Sequence, residues 1–217
     1  MNYSTLISTI KAYTENDFPT TQGLTGTEQL DTFIKQAEQR VYHTVQLPDL
    51  RKNVTGVTTI NSRYLSTPAD WLSNFSLAVI DSTTGKYDYL LNKDVNFVHE
   101  SFPDPTATGK PTHYAIFDSS TYLLGPTPDA AYSVELYYFY IPTSIVSATT
   151  TWLGDNFDSV LLYGALLEAC TFLKGEQDIM AKYQQRYDEG MALLKELSEG
   201  KDRQDMHRTP QVRYPVK

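Results

Sequence analysis

Cysteine is almost absent. Cys170 stands alone among 217 residues, so no disulfide closes within a subunit, and its apolar helical setting makes it a small buried hydrophobe. Histidine is scarce as well: His43, His99, His113 and His207 are scattered, and each reads as a surface or structural side chain rather than a ligand. Positive charge is in deficit, with 18 Lys and Arg against 26 Asp and Glu and a net charge of −8. That balance argues against a protein that grips nucleic acid by its phosphates. Long apolar runs are missing too. The longest uncharged one, residues 160–167, is too short to cross a bilayer. The opening stretch MNYSTLISTIKAYTEND lacks both the basic start and the apolar run of a secretory signal. The expectation is a soluble chain folded in a reducing cytosol.

What the chain does have is tyrosine, 16 residues of it, within a hydrophobic content of 41%. Tyrosine offers large contact area with a polar tip and is enriched at interfaces; a tyrosine-rich ordinary core is the competing reading. Leu6, Ile7, Ile10 and Tyr13 recur at helical spacing, which predicts a helix over 3–14. NDFPTTQGLTG is a loop by its proline and glycines. Thr25 followed by Glu28 resembles a capping box, and Leu30, Phe33, Ile34, Ala37, Val41 and Val45 predict a second helix from about 26 to 45.

From residue 54 to 142 the pattern changes to short β-branched and aromatic runs: VTGVTTI, RYLST, FSLAVI, KYDYLL, HYAIFD, STYLLG and YSVELYYFYI, separated by turn signals. One short helix is expected near 94–101. The last run is unusual. Val134, Leu136, Tyr138 and Tyr140 share one face, yet the other carries Tyr137, Phe139 and Ile141 beside a single charge, Glu135. Such a strand calls for cover on both faces, the second from another copy or another protein. Residues 121–141 read as a hairpin with one face in the core and one against a neighbour.

Helices return at Asp155, read as a cap for NFDSVLLYGALLEACTFLK; Gly175 ends that helix, and EQDIMAKYQQRYDEGMALLKEL follows as the second arm of a helical hairpin. The first arm is apolar almost all round, so it too calls for cover on every side, which a neighbouring subunit supplies. Leu162, Leu166, Tyr137 and Phe139 are the expected subunit contacts. Past residue 198 the apolar period stops. Residues 201–217 hold five Lys and Arg against two Asp; taken from the totals, this leaves 13 basic and 24 acidic side chains, an acidic body with a basic arm. The fold class expected is α+β: a bundle of about four helices (1–50 and 151–198) with an inserted antiparallel β-domain (51–150) and an extended tail (199–217).

No catalytic constellation survives inspection. His99-Glu100 opens like a zinc-protease motif, but Pro103 stands where the second histidine belongs. Gly109-Lys110 resembles the end of a phosphate loop, with Asp104 and Pro111 at its other key positions. Neither an enzyme nor a cofactor is expected. A carbohydrate- or receptor-binding module of a virion is the alternative, with Trp71 and Trp152 as platforms.

Several stretches, in their order, resemble the head–tail adaptor (connector or neck) proteins of short-tailed bacteriophages. Tyr64-Leu65 with Pro68-Ala69-Asp70-Trp71-Leu72 is similar to that family's Y-L-P-x-D-F-L element. Residues 109–114, GKPTHY, resemble its G-x-P-x-x-Y turn, and GPTPD with Tyr132 and Leu136-Tyr137-Tyr138 its P-x-P-D…Y…L-x-Y-Y element. Trp152-Leu153 and LLYGALLEA resemble the family's next element, so the likeness spans about 25 to 197. The resemblance implies a dodecameric ring beneath the portal of a filled head, made in the host cytoplasm and ending at the head–tail junction. It would extend the DNA channel for genome retention and ejection, without binding DNA specifically, and give tail nozzle and fibre proteins an attachment surface. It also implies that the C-terminal arm reaches the portal, which makes Arg203, Arg208, Val212, Arg213 and Tyr214 the expected portal contacts. No membrane partner is implied.

Overall fold

The computed structural model describes residues 1–208, the side chains of Pro48 and of residues 200–208 aside. The chain divides into two compact units, one of Met1–Pro48 with Pro142–Lys217 and one of Asp49–Ile141.

The helical unit begins with α1 (Tyr3–Thr14), whose first turn is capped by Asn2 accepting from the Thr5 N–H. Leu6 and Ile10 form its buried stripe. The loop after α1 folds back on the start of α2 (Gly26–Thr44) so tightly that a Cβ at Gly26 would lie 2.1 Å from the Phe18 carbonyl oxygen. Thr25 and Glu28 close the expected capping box, side chain to backbone in both directions. After the insert, which carries α3 (Val95–Ser101), come α4 (Ile145–Ala148), α5 (Trp152–Asn156), α6 (Asp158–Leu173) and α7 (Gln177–Arg208). Close approach of α6 to α2 and α7 depends on small residues. A Cβ at Gly164 would sit 3.1 Å from the Ala37 Cβ, and one at Gly190 would sit 2.7 Å from Val160 Cγ2.

Three sequence expectations change here. Asp155 does not cap the long helix. Thr151 caps α5 by accepting from the Gly154 N–H, and Asp155 lies in the first turn of α5, 3.9 Å from the Met1 ammonium. The cover for α6 comes from its own chain, since α1, α2, α5 and α7 all pack against it. Leu162 and Leu166 are buried within the unit. Finally, α7 does not stop at Ser198 but runs to Arg208. The residues after 198 lack an apolar stripe, but Glu, Lys, Arg, Gln and Met are good helix formers whether or not they face a core. The first breaker in the sequence is Pro210.

One buried charge marks this unit. Glu38, only 3% exposed, accepts from the Ile145 N–H at 2.9 Å and so ties α2 to the start of α4. Burial raises its pKa, and hydrogen bonds from Ser144 and Ile145 offset only part of that. A carboxyl raised on folding favours the folded state at low pH and costs stability as pH climbs from its unfolded value through its folded one. Replacing Glu38 with Gln keeps an acceptor for Ile145 and removes the titration. The variant should gain on the native chain as pH climbs from the ordinary glutamate value of about 4 in urea melts, the difference levelling off once Glu38 is fully ionised.

The insert is a two-layer sandwich. A 3-10 turn at Pro48–Leu50 leads to β1 (Arg51–Val57), followed by β2 (Tyr64–Ser66), β3 (Trp71–Ile80), β4 (Tyr87–Tyr89), β5 (Leu91–Asn92), α3 (Val95–Ser101), β6 (His113–Asp118), β7 (Thr121–Gly125) and β8 (Ser133–Tyr140). The first sheet has the order β1-β8-β3-β4 and the second β2-β7-β6-β5. Their inner faces meet in one core of Leu77, Val79, Leu90, Tyr114, Tyr122, Leu124, Val134, Leu136 and Tyr138. The outside of the second sheet is closed by α3, where Val98 packs with Ala115 and Leu123. The expected helix near 94–101 is thus present, with Asp94 at its N-cap position.

The hairpin expected over 121–141 does not form. β7 pairs with β2 and β6, while β8 pairs with β1 and β3 in the other sheet. The connection between them is held in place: Thr58 Oγ1 donates to the Ala130 carbonyl and accepts from the Tyr132 N–H, and Thr127 Oγ1 donates to the Pro105 carbonyl. Nor is the pairing antiparallel throughout, since β5 and β6 run parallel, with α3 in the crossover between them. Residues 142–150, read as part of the insert, carry α4 and belong to the helical unit.

Candidate functional site

Strand register decides what the outer face of the first sheet presents. Arg51, Asn53 and Thr55 of β1 stand opposite Phe139, Tyr137 and Glu135 of β8, and Ala78 and Ile80 of β3 stand opposite Tyr89 and Tyr87 of β4. All of these share one face, because paired residues point the same way. Phe139 is covered within the chain: the Phe75 ring meets it edge-on at 6.4 Å, and the Arg51 guanidinium lies 4.5 Å from Phe75 and 5.0 Å from Phe139. Glu135 is likewise covered and only 5% exposed. It accepts from Asn53 Nδ2 at 2.7 Å. The hydrogen bonds from Asn53 and Tyr87, with a smaller one from Tyr137, outweigh desolvation and hold its pKa below the usual carboxylate range. The same bonds push the Tyr87 and Tyr137 phenols upward.

So of the two expected interface residues on β8, Phe139 is already buried and Tyr137 is half-buried. The side chains this face does expose are others. Tyr87 and Tyr89 stack with centroids 6.4 Å apart, and Tyr89 is 63% exposed. Phe75, over Phe139 and Arg51, is exposed as well. Tyr87 is tied to Glu135, and Tyr89 stacks on it, which makes an exposed aromatic surface of the kind found at contact sites. The period-two spacing of Tyr87 and Tyr89 was the available signal for it.

A second feature lies where the two sheets part. Between β1 and β2, the edge strands of their sheets, opens a cavity of about 250 Å³ lined by Val54, Gly56, Leu65, Leu77, Val134 and Leu136, among others. Its lining is mostly apolar, and Tyr122 lies at its floor. Nothing in single-strand periodicity announces such a groove, because it arises from two edges that are distant in sequence.

Other sequence candidates have plain structural roles. Trp71 is half-buried and packs edge-on to Tyr122 at 6.1 Å; Trp152, also half-buried, lies tilted against Phe157 at 5.8 Å. Burial raises the Cys170 thiol pKa, which suppresses the thiolate. Among the described residues, no group of three or more His, Cys, Asp and Glu is placed to hold a metal ion, and no helix is long and apolar enough to cross a membrane. Arg203 and Arg208 fall on the last turns of α7, while Val212, Arg213 and Tyr214 lie outside the described residues.

Exposed aromatic side chains on one sheet face and an apolar groove between sheet edges are the features the fold offers. Residues 1–214 match the model of the family described as SU10 adaptor protein. The chain belongs to that family. It is a phage adaptor protein, a structural component of a virion, and the match takes in both the helical unit and the sandwich. No curated protein matches the adaptor chain.

Proposed function

We propose that this adaptor joins the head of a short-tailed phage to its tail. Copies form a ring, a dodecamer by family resemblance, beneath the portal. The ring continues the DNA channel for retention and ejection of the genome, and tail nozzle and fibre proteins attach to it. The observation that carries this reading is the family match over 1–214. Two physical features support it. Without the basic arm the chain holds 13 basic against 24 acidic side chains, and like charge lets DNA slide through a channel instead of sticking to it. The sandwich also exposes the stacked rings Tyr87 and Tyr89 on one sheet face, and tyrosine is enriched at protein contacts. Arg203 and Arg208 are the proposed portal contacts, each guanidinium forking onto a portal carboxylate.

The test is electron microscopy of the purified chain mixed with its isolated portal. A ring of added density with the portal's symmetry is the expected result; portals that stay bare at micromolar adaptor would overturn it. The stacked pair Tyr87 and Tyr89 favours one alternative, a carbohydrate- or receptor-binding virion module, since exposed flat rings suit a sugar. Glycan binding without any portal docking would mark that reading as the right one.

A further inference from the structure

A sheet edge with unpaired N–H and C=O groups next to apolar surface is a template for another strand, and proteins cover, twist or charge such edges. β1 has charges only at its start, Arg51 and Lys52; its remaining residues, NVTGV, have none. It borders the apolar cavity of about 250 Å³ between the two sheets. Val54 pairs with the core residue Leu136 and lines that cavity, yet it is 39% exposed. Gly56 keeps the mouth wide, since a Cβ there would meet only Val134 Cγ2, at 3.6 Å. The cavity is smaller than the roughly 300–1,000 Å³ of small-molecule sites. It suits one or two side chains of an extended peptide lying along β1.

One segment of this chain has that chemistry. Residues 209–217 read TPQVRYPVK. In extended backbone Val212, Tyr214 and Val216 share one face, with Gln211 and Arg213 on the other. Pro210 and Pro215 favour such backbone. Pro215 also sets the pairing. With no N–H it has to turn away from the neighbouring strand, which aims the N–H groups of Val212, Tyr214 and Val216 towards it. The 32 residues of α7, about 48 Å, outrun the 16 residues of α6, about 24 Å. α7 therefore ends beyond the start of its partner helix.

We propose that residues 211–216 of one copy add as a strand to the free edge of β1 in a neighbouring copy, with Val212 and Tyr214 entering the cavity between its sheets. The proposal rests on the ring reading only in requiring neighbours. Each copy then gives an arm and receives one, a head-to-tail contact that closes without free ends in a ring.

Full-length chains carrying Val54→Cys and Tyr214→Cys separately, mixed and oxidised, should form disulfide-linked heterodimers at least tenfold above a control mixture of Leu193→Cys with Tyr214→Cys. Native Cys170 is buried and is common to both mixtures. Amide exchange over residues 53–57 should slow at least tenfold when copies assemble, and Tyr214→Asp should abolish that slowing. Heterodimers at control level overturn the proposal. So does an internal disulfide in dilute Val54→Cys/Tyr214→Cys double variant, which would seat the segment on its own chain. Unslowed exchange at β1 together with capture of the segment by the portal overturns it as well. Heterodimers without any docking on portals would leave this inference standing and sink the proposed function instead.

Discussion

Leu166→Asp should unfold the helical unit. Leu166 has no exposed surface and lies on the helix that α1, α2, α5 and α7 surround. A carboxylate there has no water and no counter-charge, so it either stays ionised at great cost or takes up a proton and remains an unsatisfied polar group. Large losses arise from this mechanism, and one of more than about 4 kcal/mol is expected, most of the stability of an ordinary domain. Circular dichroism at 222 nm should show the helical signal collapse. Leu166→Met, which keeps volume and polarity, should cost less than about 1.5 kcal/mol. A Leu166→Asp chain with native helicity and native denaturation midpoint would mean that α6 is not the centre of this unit.

Tyr122→Ala should do comparable harm in the sandwich. The Tyr122 ring is fully buried and meets Trp71 at 6.1 Å and Tyr114 at 5.5 Å, both edge-on. Truncation removes an aromatic side chain from between two sheets and extends the neighbouring cavity into the core. Loss of a buried aromatic to alanine costs about 3–5 kcal/mol. The expected reading is loss of near-ultraviolet dichroism from Trp71 with the helical signal retained. Intact near-ultraviolet signal and unchanged stability would show that Tyr122 does not join the sheets.

The fold was legible in the sequence wherever local rules act alone. Thr25 and Glu28 are three residues apart, so a capping box can be read off directly, and it formed. HYAIFD is bounded by turn signals and became β6 over its whole length. Reading went astray where distant pieces decide. PTPD between two strand-like runs looks like a hairpin turn, yet β8 finds its partner β1 far away, with Asn53 bonded to Glu135 across 82 residues of chain. Strand periodicity showed that Phe139 needed cover, but not that Arg51 and Phe75 would give it. In the same way the apolar run around Leu162 announced burial without saying whose helices would do the burying. The end of α7 is hidden from the pattern for another reason. Absence of an apolar period says that a segment does not face a core, and it leaves helix propensity free to act.

Many of the tyrosines set their hydroxyls on polar partners: Tyr3 donates to Asp31 at 2.5 Å, Tyr132 to Asp129 at 2.6 Å and Tyr138 to Asp70 at 2.8 Å, while Tyr114 accepts from Asn74 at 2.8 Å. A phenol that donates to a carboxylate loses its proton reluctantly. Burial, with the neighbouring carboxylate adding to it, pushes Tyr3 and Tyr138 up to about 12. Folding therefore holds these protons more tightly than the unfolded chain does. The stability involved is intact below the ordinary tyrosine value near pH 10 and drains away as pH climbs from there towards 12. In alkali the ultraviolet absorbance of tyrosinate should thus lag behind that of free tyrosine. It should then rise steeply as the chain opens, because each phenol released into water ionises at once and no longer holds its partner.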